Sequence, residues 1–354
     1  MSISIREVDF DTDRSVLIDL LKRNRRLPPS YPYAERYDWL YLDNPHGIAT
    51  GWMVVDDETS EPVGFTVALP REMSVSGKRV IAWNCADFSI DIKYRTLGVA
   101  AKLRRAAREA VDAELYPFLY AHPNEKMLAV HQRAGHTVIG QMHRYARLLN
   151  ARGKVESLIH YRPLSQMISG TINPVLDCFD WYQLFRHRYD IEMYDRLWYT
   201  EEFTEFYNRL EANYPIWGVR SATYLNWRYY HNPIYQVGTT VAREHGEMIA
   251  YIIYRLTDQE QSIIIQDIVT SSPDAIPEMI AHMSIRLRKQ LNWGTMWIGL
   301  PEWYPYLPIF KRLGFLKRSD ATSCIVVHAS PNSELKASVL EPTCWFVTLG
   351  DRDE

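Results

Sequence analysis

Long apolar runs are missing from this 354-residue chain. Nowhere do about 18 uninterrupted apolar residues occur, so no membrane-spanning helix is expected. Cysteine is scarce: Cys85, Cys178, Cys324 and Cys344 lie far apart with no C-x-x-C pair. They read as reduced thiols of a cytoplasmic protein, not as a disulfide framework. The eleven histidines include no H-x-x-x-H or H-E-x-x-H pair, so no metal is expected. Charge of one sign is lacking as well. With 40 Lys and Arg against 43 Asp and Glu the formal net charge is −3, which argues against a generally basic nucleic-acid binder. The first residues carry no basic stretch followed by an apolar core, so no secretory leader is expected. Gly/Ser-rich and other low-complexity segments are also absent.

What is present is a pattern that occurs twice. Trp39-Leu40-Tyr41-Leu42-Asp43-Asn44-Pro45 returns as Trp227-Arg228-Tyr229-Tyr230-His231-Asn232-Pro233, a shared W-x-Y-x-x-N-P at an offset of 188 residues. His131-Gln132-Arg133-Ala134-Gly135-His136 is echoed by Phe310-Lys311-Arg312-Leu313-Gly314-Phe315 at an offset of 179. Similar offsets in the same order point to a duplicated domain, and the length suffices for two cores.

Periodicity gives the same order of elements in each part. Strands are expected at Ser2–Val8, Gly51–Asp56, Pro62–Leu69, Arg79–Ile92, Tyr116–Ala121 and Val138–Leu149. Helices are expected from Asp11 or Thr12 to Asn24, over Tyr33–Leu42, Val99–Glu114 and Asn124–Ala134. Residues 151–189 read as an ordered connector. Strands then fall at Ile191–Leu197, Tyr235–Arg243, Met248–Leu256, Ser262–Val269, Thr295–Gly299 and Ser323–His328. Helices fall at Glu201–Asn213, Ala275–Gln290 and Tyr304–Leu313, and Cys344–Leu349 is a candidate edge strand. The expected domains are therefore 1–150, the connector, and 190–354.

Chemistry concentrates at Arg95-Thr96-Leu97-Gly98-Val99-Ala100, between a strand and a helix. Gly98 lets the backbone approach a ligand closely. Unpaired amides and the helix dipole at such a start suit a diphosphate. With the strand end that precedes it, this string resembles the Q/R-x-x-G-x-G/A loop of the GNAT acyltransferase superfamily. The segment Asn124–His136 resembles that superfamily's N-x-x-A-x-x-x-Y-x-x-x-G-F helix. The likeness covers about Ile3–Leu149 well and about Ile191–Val327 more weakly. It implies an α/β fold with two GNAT-like domains, each a central mixed, mainly antiparallel sheet flanked by helices.

The resemblance further implies acetyl-CoA, or another acyl-CoA, as co-substrate. Its diphosphate would rest on the amides of Thr96, Gly98, Val99 and Ala100, with Arg95 and Leu97 in the same loop. Its pantetheine arm would pair with the strand near Ile90 and Ile92 as an added β-strand does. Asn124 suits both a contact to that arm and a helix N-cap. His131 stands where the family often has a tyrosine that protonates the departing thiolate. An imidazolium could serve; a packed histidine is the alternative. His136 replaces the usual phenylalanine, and Ile92 a frequent proline. Asp87 is the candidate base for a bound ammonium. In a regular strand Cys85, Asp87, Ser89 and Asp91 share one face.

The second part lacks the loop, and Pro273 and Asp274 stand where it would lie. Trp39, Tyr41, Trp227 and Arg228 are candidate substrate residues, although helix-spaced aromatics also build cores. Arg228 would pair with an anion or make a structural ion pair. The expected function is an N-acyltransferase acting on a small amine such as an amino sugar. A Fem-type aminoacyl transferase and a non-catalytic acyl-CoA-binding module are the alternatives.

Overall fold

The computed structural model describes residues 2–159, 161–185, 188–257, 261–291 and 294–353. Its strands are β1 (Ile3–Glu7), β2 (Thr50–Asp56), β3 (Pro62–Val75), β4 (Lys78–Ile90), β5 (Phe118–Ala121), β6 (Thr137–Leu148), β7 (Asp190–Tyr194), β8 (Ile216–Gly218), β9 (Val237–Glu244), β10 (Glu247–Thr257), β11 (Ser262–Thr270), β12 (Thr295–Pro301) and β13 (Leu316–Ala329). The helices are α1 (Arg14–Asn24), α2 (Tyr33–Tyr37), α3 (Leu97–Asp112), α4 (Glu125–Arg133), α5 (Arg152–Leu158), α6 (Arg162–Leu184), α7 (Glu201–Leu210), α8 (Ala222–Leu225), α9 (Ala275–Leu291), α10 (Leu307–Arg312) and α11 (Lys336–Leu340). The fold is mixed α/β, built on one large, mainly antiparallel sheet with helices packed against it.

The sheet does not divide where the chain does. Its order is β1-β2-β3-β4-β5-β13-β6-β12-β11-β10-β9-β7, with β8 added to β3. In the first half β4 and β5 are parallel; in the second, β11 and β12 are. The strand beside β5 is β13, from the end of the chain, and the strand beside β12 is β6, from the first half. The halves thus exchange their last strands, and β6 and β13 pair antiparallel at the centre.

The W-x-Y-x-x-N-P repeat explains itself at the same centre. Each copy is a π-helical turn, Asp38–Leu42 and Asn226–Tyr230. Trp39 Nε1 donates to the Trp227 carbonyl at 2.7 Å, and Trp227 Nε1 returns the bond to the Trp39 carbonyl at 2.8 Å. The two rings stack with centroids 5.3 Å apart. Such reciprocity is the signature of a two-fold contact. Asn44 Oδ1 accepts the His46 amide and Asn232 Oδ1 the Ile234 amide, each spanning a proline that has no N–H to give.

Two expectations change, and the connector, expected only to be ordered, takes a definite form. The connector is helical, α5 followed by the 23-residue α6, which packs on α9. The segment Cys344–Leu349 is not a strand: it passes through a 3-10 turn and one isolated bridge, Trp345 to Ile216. From there the tail enters the interior, where the Asp351 carbonyl accepts from Asn84 and Tyr120. The β3 strand runs six residues past Leu69, because Pro70–Val75 pairs with β4 on one side and its end with β8 on the other.

Candidate active site

The β4 and β5 strands pair only at Trp83–Leu119 and Asn84–Tyr120, and then part. Beyond that point β4 runs on to Ile90 without β5 beside it, a geometry that leaves one strand edge open. A cleft of about 580 Å³ lies at this end, lined by Asn24, Arg25, Phe88, Ser89, Ile90, Arg95, Thr96, Ala100, Asn124, Lys126, Met127 and Val130. Of the loop and helix residues singled out from sequence, Ile90, Arg95, Thr96, Ala100 and Asn124 meet here.

The start of α3 is set by Thr96, whose side chain accepts the Val99 amide at 3.3 Å. Its carbonyl accepts from Ala100 at 3.1 Å, and its own amide donates to the Tyr94 carbonyl at 2.7 Å. The expected set of four phosphate-binding amides is therefore reduced: Thr96, Val99 and Ala100 are already engaged, as an N-cap dictates. Among the described residues the Gly98 amide has no partner, and a Cβ built at Gly98 would meet nothing within 4 Å. The loop is an open cradle at the positive end of a 16-residue helix. Leu97 opens that helix through its backbone. Lys126 and Arg95 place cations on the cleft wall. Arg95 is anchored, its Nε on the Ile90 carbonyl at 2.7 Å and a terminal nitrogen on Asn24 Oδ1 at 2.8 Å. Asn124 caps α4 by accepting the Met127 amide at 3.0 Å while still facing the cleft. These residues fit a diphosphate-bearing thioester carrier at the α3 N-terminus.

Other expectations are corrected. Ile92 lies outside β4, in a 3-10 turn, and is 78% exposed; Asp91 ends the strand by donating to the Val63 carbonyl instead. The Ile90 carbonyl already accepts from Arg95, which leaves it one lone pair for a pantetheine arm.

Asp87 is not a base. It sits at a β-bulge between the Ala86–Val67 and Phe88–Thr66 pairs, with its side chain fully buried. Arg36 donates to it at 2.7 and 3.1 Å, and Arg25 and Tyr41 close on it as well. Burial alone would raise its carboxyl, but Arg25 and Arg36 overcome that and hold it well below the ordinary carboxylate range. The bulge also turns Cys85 away from Asp87, into the core under α3, where burial pushes the thiol up and Arg104 opposes the rise.

His131 does not line the cleft. Its Nδ1 lies 2.9 Å from the Nδ1 of His136, and His136 stacks on His328, whose Nε2 lies 2.7 Å from Asp112 Oδ1. Burial, then the nearby Arg104, lowers both His131 and His136 far below the usual imidazole value. A neutral histidine so placed cannot protonate a thiolate in the cleft. Its work is to bind α3, α4 and β13 together.

Of the proposed substrate residues, Tyr41 and Arg228 are structural. Tyr41 is fully buried and donates to Asp87. Arg228, 1% exposed, grips the carbonyls of Asp353 and Arg352. Trp39 and Trp227 form the central pair; their edges reach a depression of about 870 Å³ that shares no lining residue with the cleft.

The second half repeats the strand carboxylate without the loop. Asp267 on β11 accepts from Arg220 at 3.1 Å and from Thr348 at 2.9 Å, beside Tyr229. Its α9 begins under Asp274 and Glu278, Glu278 already accepting the Arg188 amide at 3.1 Å, and the end of α6 stands alongside. Sequence reasoning missed Asn24, Arg25 and Lys126 on the cleft. The run Lys22-Arg23-Asn24-Arg25-Arg26 at the end of α1 was the available signal.

The chain has the fold of the GCN5-related N-acetyltransferases. It is similar to a GCN5-related N-acetyltransferase from Anabaena variabilis, at 13% identity and a TM-score of 0.65 over 93% of this chain and 73% of that one. A probable N-acyltransferase of Enterococcus faecalis is similar at 11% identity, TM-score 0.63, over 93% and 72%. The N-myristoyltransferase of Saccharomyces cerevisiae, solved with bound myristoyl-CoA, is similar at 12% identity, TM-score 0.56, over 94% and 80%. No family model matches the sequence, and no curated protein does.

Proposed function

We propose that the chain is an acyl-CoA-dependent N-acyltransferase that moves an acetyl group from acetyl-CoA to a small amine, such as an amino sugar. One observation carries the reading: the open Gly98 position at the α3 N-terminus, in the same loop as Arg95, Thr96 and Ala100, which line with Lys126 a cleft at the end where β4 leaves β5. The coenzyme would supply an activated acyl thioester. The chain's part is to hold its diphosphate at Gly98, with Asn124 and the β4 edge along its arm. With Asp87 held by its arginines, the proton of the amine passes to water. The carbon–nitrogen bond forms as the carbon–sulfur bond breaks, and free thiol is released. The second half, with Asp274 and Glu278 at the matching helix start, serves as structure and lends β13 to the sheet beside β5.

The test is native mass spectrometry with acetyl-CoA, followed by thiol-release screening against amino sugars and polyamines. The reading predicts one coenzyme per chain and thiol release with at least one amine. Bound coenzyme with no release on any amine would make the protein a binding module instead.

A further inference from the structure

The α6 helix carries an apolar face that stays exposed among the described residues. Its inward line is Ser169, Asp180 and Leu184, all buried against the body. The opposite line is Leu164, Met167, Thr171, Pro174, Cys178, Trp181 and Phe185, alternating steps of three and four residues. That is the spacing of a helix–helix seam. Met167 is 64% exposed, Trp181 55% and Phe185 86%, and the flanking Val175 and Tyr182 are 65% and 75% exposed. Monomeric proteins seldom leave so much aromatic surface in one stripe.

Charge narrows what could lie on it. Between Leu164 and Phe185 the charged residues are Asp177 and Asp180. Asp180 ties to Arg147 and, at 2.7 Å, to Arg288; Asp177 pairs with Arg288 as well. The stripe therefore has no lysine or arginine for anionic lipid, which a membrane-surface helix requires. It also has no carboxylate free for a basic partner. Its complement is another uncharged, seam-spaced helix, and a second copy of this chain supplies one. At 23 residues, α6 is about 34 Å long. Its exposed aromatic rings offer on the order of 500 Å² per copy. With the aliphatic neighbours, a symmetric pair would bury more than about 1,000 Å² in all, within the range of specific interfaces.

We infer that the protein is a two-fold dimer in which α6 packs antiparallel on α6 of a second copy, centred near Val175. The inference is independent of the proposed chemistry. Sedimentation of the full chain at about 10 μM should give twice the 41.5 kDa protomer mass. Val175→Glu combined with Trp181→Glu should give a monomer with unchanged circular dichroism. In a Cys178→Ser background, Val175→Cys should oxidise to a covalent dimer. A wild type that stays monomeric at about 100 μM overturns the inference, as does a charged variant that stays dimeric. A dimeric Val175→Cys, Cys178→Ser variant that forms no disulfide, while the wild type cross-links through Cys178, would overturn the antiparallel pairing centred near Val175. Monomers that float with phosphatidylcholine vesicles would assign the stripe to lipid instead.

Discussion

Replacing Asp87 separates a structural carboxylate from a catalytic one. Asp87→Ala leaves Arg36, 1% exposed, without the carboxylate it grips at 2.7 Å. Breaking a buried pair from one side costs about 3–5 kcal/mol, a large share of a typical stability of about 5–15 kcal/mol. Asp267→Ala removes one of the two carboxylates on Arg220 in the half without a coenzyme loop, and should cost less, because Asp351 still holds Arg220 at 2.8 Å. The assay is denaturant unfolding of both variants. The sign with pH follows from the depressed folded-state value of Asp87. Its contribution is fully present above the unfolded carboxyl value of about 3.9. It is lost as pH falls through the lower folded value. An Asp87→Ala variant with a wild-type midpoint but a turnover reduced about 100-fold or more would refute this and restore Asp87 as the base.

The buried histidines act over a different window. His131 and His136 are lowered in the fold, so their contribution is full above about pH 6.5 and fades as pH falls toward their folded values. Each adds a slope of about 1.4 kcal/mol per pH unit there. Unfolding midpoints measured between pH 7.5 and 5 should fall accordingly, and His131→Phe with His136→Phe should flatten that fall. Trp39→Ala and Trp227→Ala should each destabilise by about 3–5 kcal/mol. The double variant should cost less than their sum, because the rings and bonds are shared; strict additivity in a denaturation cycle would deny the central pair.

The first half was largely legible because its strands are apolar runs bounded by turn residues and its helices carry apolar stripes. Asn124 was readable as a helix cap and caps α4; Thr96, expected only as a phosphate-binding amide, caps α3, which begins two residues before the expected Val99. The exchange of β6 and β13 was not legible: alternation fixes a strand's face but says nothing of which distant strand lies beside it. Asp87 misled because Arg25 and Arg36, which neutralise it, lie 62 and 51 residues away in sequence. Regular alternation also put Cys85 and Asp87 on one face, and the β4 bulge between them breaks that rule. Trp39 and Trp227 were recognised as a repeat, yet their meeting depends on how two halves pack, which no local pattern encodes.

The central claim is that the α3 N-terminus, and not the start of α9, holds the diphosphate of an acyl-CoA. Calorimetric titration of acetyl-CoA into wild type, Gly98→Ala and Gly98→Glu tests it most directly. Open space above Gly98 predicts one site per chain that survives the alanine and is lost with the glutamate, whose carboxylate would face the phosphates. Equal affinity in all three proteins would contradict the account.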